Sequence, residues 1–166
     1  MLLPPEVVLH LEERLDVTRS ALPELRWVPA GRWHITLEFL GECGRHEADR
    51  QLGRWSRRAA RVGPFDMSLA GAGAFPRAWT ARVLYAGVRT DSEAWRRLAV
   101  AEQVPHVTLA RTRQMQDLTG VVESLATYTG PSWRVDQIAM MASYLRGSGD
   151  RGPRYEPVET LELGRG

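Results

Sequence analysis

The chain has 166 residues, of which 43% are hydrophobic and 25% charged, the balance of a folded domain or of two small lobes sharing a core. Disorder is excluded, and so is a membrane-spanning helix, because no apolar run approaches the roughly 18 residues a bilayer requires. A formal net charge of +2 is too small to mark a nucleic-acid binder by electrostatics, and a single cysteine, Cys43, excludes an internal disulfide framework or a thiolate-rich zinc site.

The opening residues Met1-Leu2-Leu3-Pro4-Pro5-Glu6 lack a basic stretch followed by an apolar one, so no secretory signal is read and a cytoplasmic protein is expected. Pro5 to about Leu22 predicts a helix, with proline in its first turn and Leu11, Leu15 and Leu22 on one side. Arg26 to Pro29 reads as a short extended piece and a turn. Trp33 to Leu40, rich in aromatic and β-branched residues and closed by Gly41, reads as a strand. Arg45 to Val62 reads as a helix whose apolar stripe is Ala48, Leu52, Trp55, Ala59 and Val62. Its arginines Arg54, Arg57, Arg58 and Arg61 lie roughly opposite that stripe, which favours a solvated face over an RNA-binding one. Gly63-Pro64 ends the helix, and Phe65 to Leu69 begins a strand. A glycine-rich turn at Gly71 and Gly73 is expected to lead through Phe75-Pro76 to a further strand at 82–88. Ser92 to Ala101 reads as a short helix capped by Asp91 or Ser92. Pro105 to Ala110 reads as a strand and Met115 to Tyr128 as a helix. A break is expected at Gly130-Pro131, and Trp133 to Ala142 as an extended run.

The two halves share a grammar of strand, helix, Gly-Pro and strand. Each begins with the same kind of tetrad, His34-Ile35-Thr36-Leu37 and His106-Val107-Thr108-Leu109. This predicts an internal duplication: an α+β, bilobal fold of residues 1–166, with two antiparallel sheets and flanking helices around a central cleft. A monomer is expected, since a cleft closed between duplicated lobes needs no partner chain.

Alternation along a strand puts His34 with Thr36, and His106 with Thr108, on one face, while Ile35, Leu37, Val107 and Leu109 face the core. Four histidines and ten threonines would produce about 0.2 copies of His-x-Thr by chance, so two copies at equivalent points of a repeat are a strong signal. Two imidazoles without a metal suit general acid–base catalysis, one taking a proton from water and the other giving one to a leaving oxygen. The threonine hydroxyls can donate hydrogen bonds to phosphoryl oxygens. Arg111 adds a cation, but its alternation matches Leu109, so it needs a bend to reach the same face.

The stretches Arg26 to Pro29, His34 to Glu42, Pro105 to Arg111 and Ser143 to Pro157 resemble the two-histidine phosphoesterase superfamily, in particular the bacterial RNA 2′,3′-cyclic phosphodiesterases, also called 2′-5′ RNA ligases. The resemblance implies opening of a 2′,3′-cyclic phosphate on RNA to a 2′-phosphate, with no cofactor and no metal. It also implies His34 as proton donor, His106 as proton acceptor, and Thr36, Thr108 and Arg111 as phosphate ligands. Family members usually begin with a short apolar strand, so Leu2-Leu3-Pro4-Pro5 implies either a different start or a lobe with an uncovered edge. The segment from Trp95 to Pro105 is also shorter than is usual in the family.

Other residues read more plainly. Phe75 and Trp79 are candidate base-stacking rings, with Arg77 between them. Trp33 is expected in the core, and His10 and His46 at the surface. Tyr144 and Arg146 would border the cleft by resemblance alone, and Cys43 has no catalytic role. Three functions are compatible with these features: an RNA cyclic phosphodiesterase with reversible ligation; the same chemistry on a small nucleotide or an ADP-ribose cyclic phosphate; and a non-catalytic RNA- or nucleotide-binding module.

Overall fold

The computed structural model describes residues 1–90, 92–99, 104–144 and 154–164. Five strands form one antiparallel sheet: β1 (Arg26–Trp27), β4 (His106–Gln116), β3 (Thr80–Thr90), β2 (Phe65–Arg77) and β5 (Thr129–Val135), in that spatial order. A second antiparallel sheet pairs β6 (Gln137–Tyr144) with β7 (Arg154–Glu162). The helices are α1 (Pro5–Ala21), α2 (Arg45–Ala59), α3 (Ser92–Leu98) and α4 (Thr119–Ser124). Two antiparallel sheets with flanking helices are thus the architecture expected from the sequence. The sheets are unequal, however: the second histidine tetrad lies in the larger one, on β4, and the first is joined to β4 by a single bridge.

The two long helices bury residues of the stripes their periodicity defines. In α1 these are Val7, Leu11 and Leu15, at most 1% exposed, packed toward β5. Leu22, expected on that stripe, is the residue after the helix, and its amide caps the carbonyls of Thr18 and Arg19. Along α2, Trp55 and Ala59 are buried, and Val62 continues the stripe beyond the last turn. This face meets β6 and β7 of the smaller sheet and α3.

Four expectations about elements are corrected. First, Gly71 and Gly73 do not turn the chain: β2 runs straight through them to a two-residue turn at Ala78-Trp79. Gly71 has a φ of 64°, and the β2–β3 register slips between Leu69 and Ala72, so the glycine marks a bulge, where a left-handed residue lets a strand gain one position. Second, Gly130-Pro131 lies inside β5 instead of breaking the chain. β5 is an edge strand bonded only to β2, and an edge accommodates a residue without an amide hydrogen. Third, Met115 belongs to β4, and the helix after it is the short α4, because Leu118 instead donates its amide to Ala78 at the β2–β3 turn. Fourth, the extended run from Trp133 divides at Asp136, whose carbonyl accepts from the Leu163 amide.

The first tetrad forms single bridges instead of a continuous strand, although Trp33, Ile35 and Leu37 are buried and His34, Thr36 and Glu38 half-buried, as alternation requires. Its outer edge is covered, since Leu2 bridges His34, and Met1 and Ile35 exchange main-chain bonds of 2.7 and 2.9 Å. Asp91, one of the two proposed caps, and residues 100–103, with the end of the expected helix and most of the short connector, lie outside the described residues, while Ser92, the other, is the first residue of α3. So do Arg146 and the part of the resembling tail at 145–153.

Candidate active site

One isolated antiparallel bridge decides the geometry: Ile35 lies opposite Val107. In an antiparallel pair the neighbours then follow in reverse order, so His34 stands across from Thr108 and Thr36 across from His106. Directly opposed side chains have Cβ atoms about 4.5–5.5 Å apart and share a face. Because Ile35 and Val107 point into the core, at 1% and 0% exposure, the four polar side chains point together out of it. Two histidines and two threonines, 72 positions apart in the chain, make one quadrilateral, each histidine diagonal to the other.

Both imidazoles are clamped in the same way. His34 donates from Nδ1 to the Arg32 carbonyl at 2.8 Å, and His106 from Nδ1 to the Val104 carbonyl at 2.9 Å. A carbonyl can only accept, so Nδ1 keeps its proton in each ring and Nε2 is left to exchange protons. Burial lowers the pKa of His34 below its ordinary value, against the pull of the Arg32 carbonyl. Positive charge on the Met1 amine and on His106 lowers it further. That His34 responds to the charge of His106 is itself a sign of their proximity.

Arg111 obtains the bend it needed. Tyr85 pairs with Thr108 and Leu84 with Ala110, so Leu109 is the extra residue of a bulge in β4. The slip reverses the alternation: Leu109 and Ala110 are both buried, and Arg111 then faces outward. Arg111 is opposite Val83, which shares a face with Tyr85 and hence with Thr108. On its other side Arg111 is opposite Arg26 of β1. Like charges directly opposed destabilise a strand pair unless an anion lies between them. Among the described residues, Arg26, Arg111, Thr36 and Thr108 have no side-chain hydrogen bond or ion pair. Unpaired hydroxyls, guanidinia and Nε2 atoms on one face make a pocket suited to a phosphate.

Aromatic rings border it. Phe75 meets His106 edge-on with centroids 5.0 Å apart, stacks on Tyr85 at 4.4 Å, and Tyr85 in turn lies 5.3 Å from His106. Tyr85 crosses over Gly73, where any Cβ would collide with its ring. From the smaller sheet, Tyr155 of β7 meets His34 edge-on at 5.0 Å, so the cleft lies between the two sheets. Trp79 is elsewhere: it is 63% exposed at the tip of the β2–β3 hairpin, beneath the Arg77 guanidinium, and about 20 Å of strand separates it from Tyr85.

Sequence reasoning passed over Arg26, Tyr85 and Tyr155 as site residues. Tyr85 could have been found from the alternation of Val83, Tyr85 and Gly87. Arg26 depends on a β1–β4 register that the sequence does not reveal. The remaining expectations are simple to place. Trp33 is buried, His10 and His46 are exposed, Tyr144 is half-exposed at the end of β6, and Cys43 is exposed with its thiol toward the Leu40 carbonyl. His10 contacts Tyr128, whose buried hydroxyl is pushed up to about 12 by desolvation.

Residues 3–85 match the family described as LigT-like phosphoesterase. The chain is 30% identical to a Thermus thermophilus protein named RNA 2′,3′-cyclic phosphodiesterase, covering 97% of this chain and 86% of that one. It belongs to the LigT-like phosphoesterases. A Methanothermobacter thermautotrophicus protein of the same name is 28% identical over 93% of this chain and 91% of its own length. Among solved structures, one from Thermus thermophilus superposes with a TM-score of 0.76 at 29% identity, covering 99% of this chain and 95% of that one. Escherichia coli LigT complexed with phosphate gives 0.64 at 28% identity, covering 98% and 93%. No helix among the described residues is long and apolar enough to cross a membrane.

Proposed function

We propose that this LigT-like phosphoesterase hydrolyses terminal 2′,3′-cyclic phosphates of RNA to 2′-phosphates, with His34 and His106 as the acid and base. The observation that carries the reading is the Ile35–Val107 bridge, which sets both imidazoles and both threonine hydroxyls around one point. Relatives named RNA 2′,3′-cyclic phosphodiesterase over most of their length support the substrate class.

In the proposed reaction His106 Nε2 takes a proton from water as its oxygen attacks phosphorus. The bond from phosphorus to O3′ breaks, and His34 Nε2–H gives its proton to that oxygen, leaving a 2′-phosphate and a 3′-hydroxyl. Proton return through solvent from His106 to His34 resets the site. Thr36 and Thr108 donate to the non-bridging oxygens, whose charge shifts in the transition state, and Arg111 with Arg26 holds the anion. Each proton transfer is worth about 10²–10⁴ in rate. Such a scheme requires no Lewis acid. Ligation of a 2′-5′ bond follows the same path with an RNA 5′-hydroxyl attacking phosphorus in place of water, and its reversal is attack of the 3′-hydroxyl on the 2′-5′ diester.

The depressed pKa of His34 bears on its role. In the free protein it holds its proton weakly, and a phosphate anion seated beside it restores the proton by Coulomb attraction. A substrate with a nitrophenolate leaving group separates acid from base, because that group departs without protonation. His34→Ala should then recover most of its activity on the nitrophenyl diester, and His106→Ala should not. The reverse pattern would exchange the roles.

A second reading keeps the chemistry and shortens the substrate to a nucleotide. It is favoured by the Escherichia coli LigT structure complexed with 3′-AMP, a neighbour at 25% identity and a TM-score of 0.65. Hydrolysis of cyclic mononucleotides and of cyclic-ended oligonucleotides, with EDTA present, decides between them: rate constants that rise with chain length support RNA. Loss of all turnover in EDTA would contradict the mechanism.

A further inference from the structure

The row of arginines on α2 is not simply a solvated face. Arg54, Arg57, Arg58 and Arg61 meet Arg97 of α3 around a cavity of about 580 Å³ that has Val62 at its wall and, among the described residues, no carboxylate in its lining. Two of the five are fixed in place. Arg58 donates to the Arg97 and Ala99 carbonyls at 2.6 and 2.8 Å and lies over the Trp55 ring. Arg54 is paired with Glu38 and bonded to Gln51. Arg97 is paired with Glu93. Arg57 and Arg61 are exposed and have no partner among the described residues.

Part of this basicity has a local cause, since cations near the C-terminal end of a helix offset its dipole. Arg97, in the last turn of α3, offsets that helix's dipole in the same way, and the two helix ends bring their guanidinia to one hollow. With Arg54 and Arg97 each paired to a carboxylate, the charges of Arg57, Arg58 and Arg61 have no acid partner among the described residues, and an anion between them would lower their mutual repulsion. From Arg54 to Arg58 the row runs about 6 Å along the axis of α2, and Arg61 extends it from the turn that follows, a spread too long for one phosphate and suited to several in succession. Glu38, which holds Arg54 and accepts from Trp55 Nε1 at 3.0 Å, is four residues beyond His34 in the chain.

We propose that this arginine-lined cavity binds the phosphodiester backbone of an RNA whose cyclic end occupies the histidine site, an inference that rests on the function proposed above. Arg57 and Arg61 supply free charge, while Arg54 and Arg58 form a fixed rim. The protein would then distinguish a strand from a mononucleotide by charge alone, without reading bases.

The test uses the intact chain and the double variant Arg57→Gln/Arg61→Gln, both exposed positions. For a 12-nucleotide RNA ending in a cyclic phosphate, the variant should raise KM about tenfold with kcat retained, and the preference for this RNA over 2′,3′-cyclic CMP should fall equally. In fluorescence anisotropy with a 12-mer ending in a plain 3′-hydroxyl, the slope of log affinity against log salt should decrease by about 1.4, the share of two phosphate contacts. Unchanged RNA affinity and salt slope would overturn the proposal. So would tighter binding of inorganic tripolyphosphate than of the 12-mer. Absence of turnover in the wild-type protein would count against the hydrolase reading, while the anisotropy with the hydroxyl-ended RNA would still decide the cavity.

Discussion

The two tetrads reach the same geometry through different frameworks. His106 is carried by the long strand β4, hydrogen-bonded on both sides and flanked by the Phe75–Tyr85 stack. His34 follows a 3₁₀ turn at Ala30–Arg32 and has only single bridges, to Leu2 on one side and, through Ile35, to Val107 on the other. Both rings are nevertheless fixed by a bond from Nδ1 to the carbonyl two residues earlier. What the two regions share is therefore the local clamp and the alternation, not the strand. A histidine needs a short extended piece, a buried neighbour and one carbonyl to be aimed, and the rest of the sheet can differ.

The comparison can be broken first at the imidazoles. His34→Ala and His106→Ala should each reduce kcat on the cyclic-ended RNA by about 10²–10⁴, measured by release of 2′-phosphate. A loss confined to one of them would make the pair unequal in function as well as in framework. Next come the hydroxyls. Thr36→Val and Thr108→Val remove one donor each and should lower kcat by about 10²-fold with little change in melting temperature. Ile35→Ala probes the weaker framework: it empties a fully buried site next to the bridge and should cost about 2–5 kcal/mol in denaturant unfolding. Val107→Ala, a smaller truncation inside a bonded strand, should cost less.

The pH dependence sharpens the same contrast with a smaller effect. Burial first, and positive charge on His106 after it, oppose a proton on His34 and hold its pKa below the ordinary imidazole value. Activity needs one proton on the pair, so kcat/KM should rise with pH along an acid limb whose midpoint lies below 6.5. Replacing His106 by alanine removes one positive charge from beside His34, and the His34 pKa, followed by NMR, should move upward. No movement would mean the rings do not interact.

How much of this was legible follows from what each feature depends on. The tetrads, their shared face and their buried partners depend on a period of two, which the sequence displays directly. α1 and α2 were legible for the same kind of reason, since their stripes repeat over three turns or more. Arg111 was ambiguous because its direction depends on a bulge at Leu109, and nothing in Leu109-Ala110 announces one. Gly71 and Gly73 were mistaken for a turn because a glycine in a bulge and a glycine in a turn look alike without a partner strand. Gly130-Pro131 looked like a break because its tolerance depends on β5 being at an edge, which is a property of the sheet. Local period was readable; register was not.

The central claim is that two imidazoles converge on a single phosphate, and a crystal structure with the bound 2′-phosphate product of a short RNA tests it most directly. The expected result is a phosphoryl group within about 2.7–3.2 Å of Nε2 of both His34 and His106, with Thr36 and Thr108 hydroxyls on its oxygens. A product phosphate bound away from either Nε2, with that ring facing solvent or packed side chains, would contradict it.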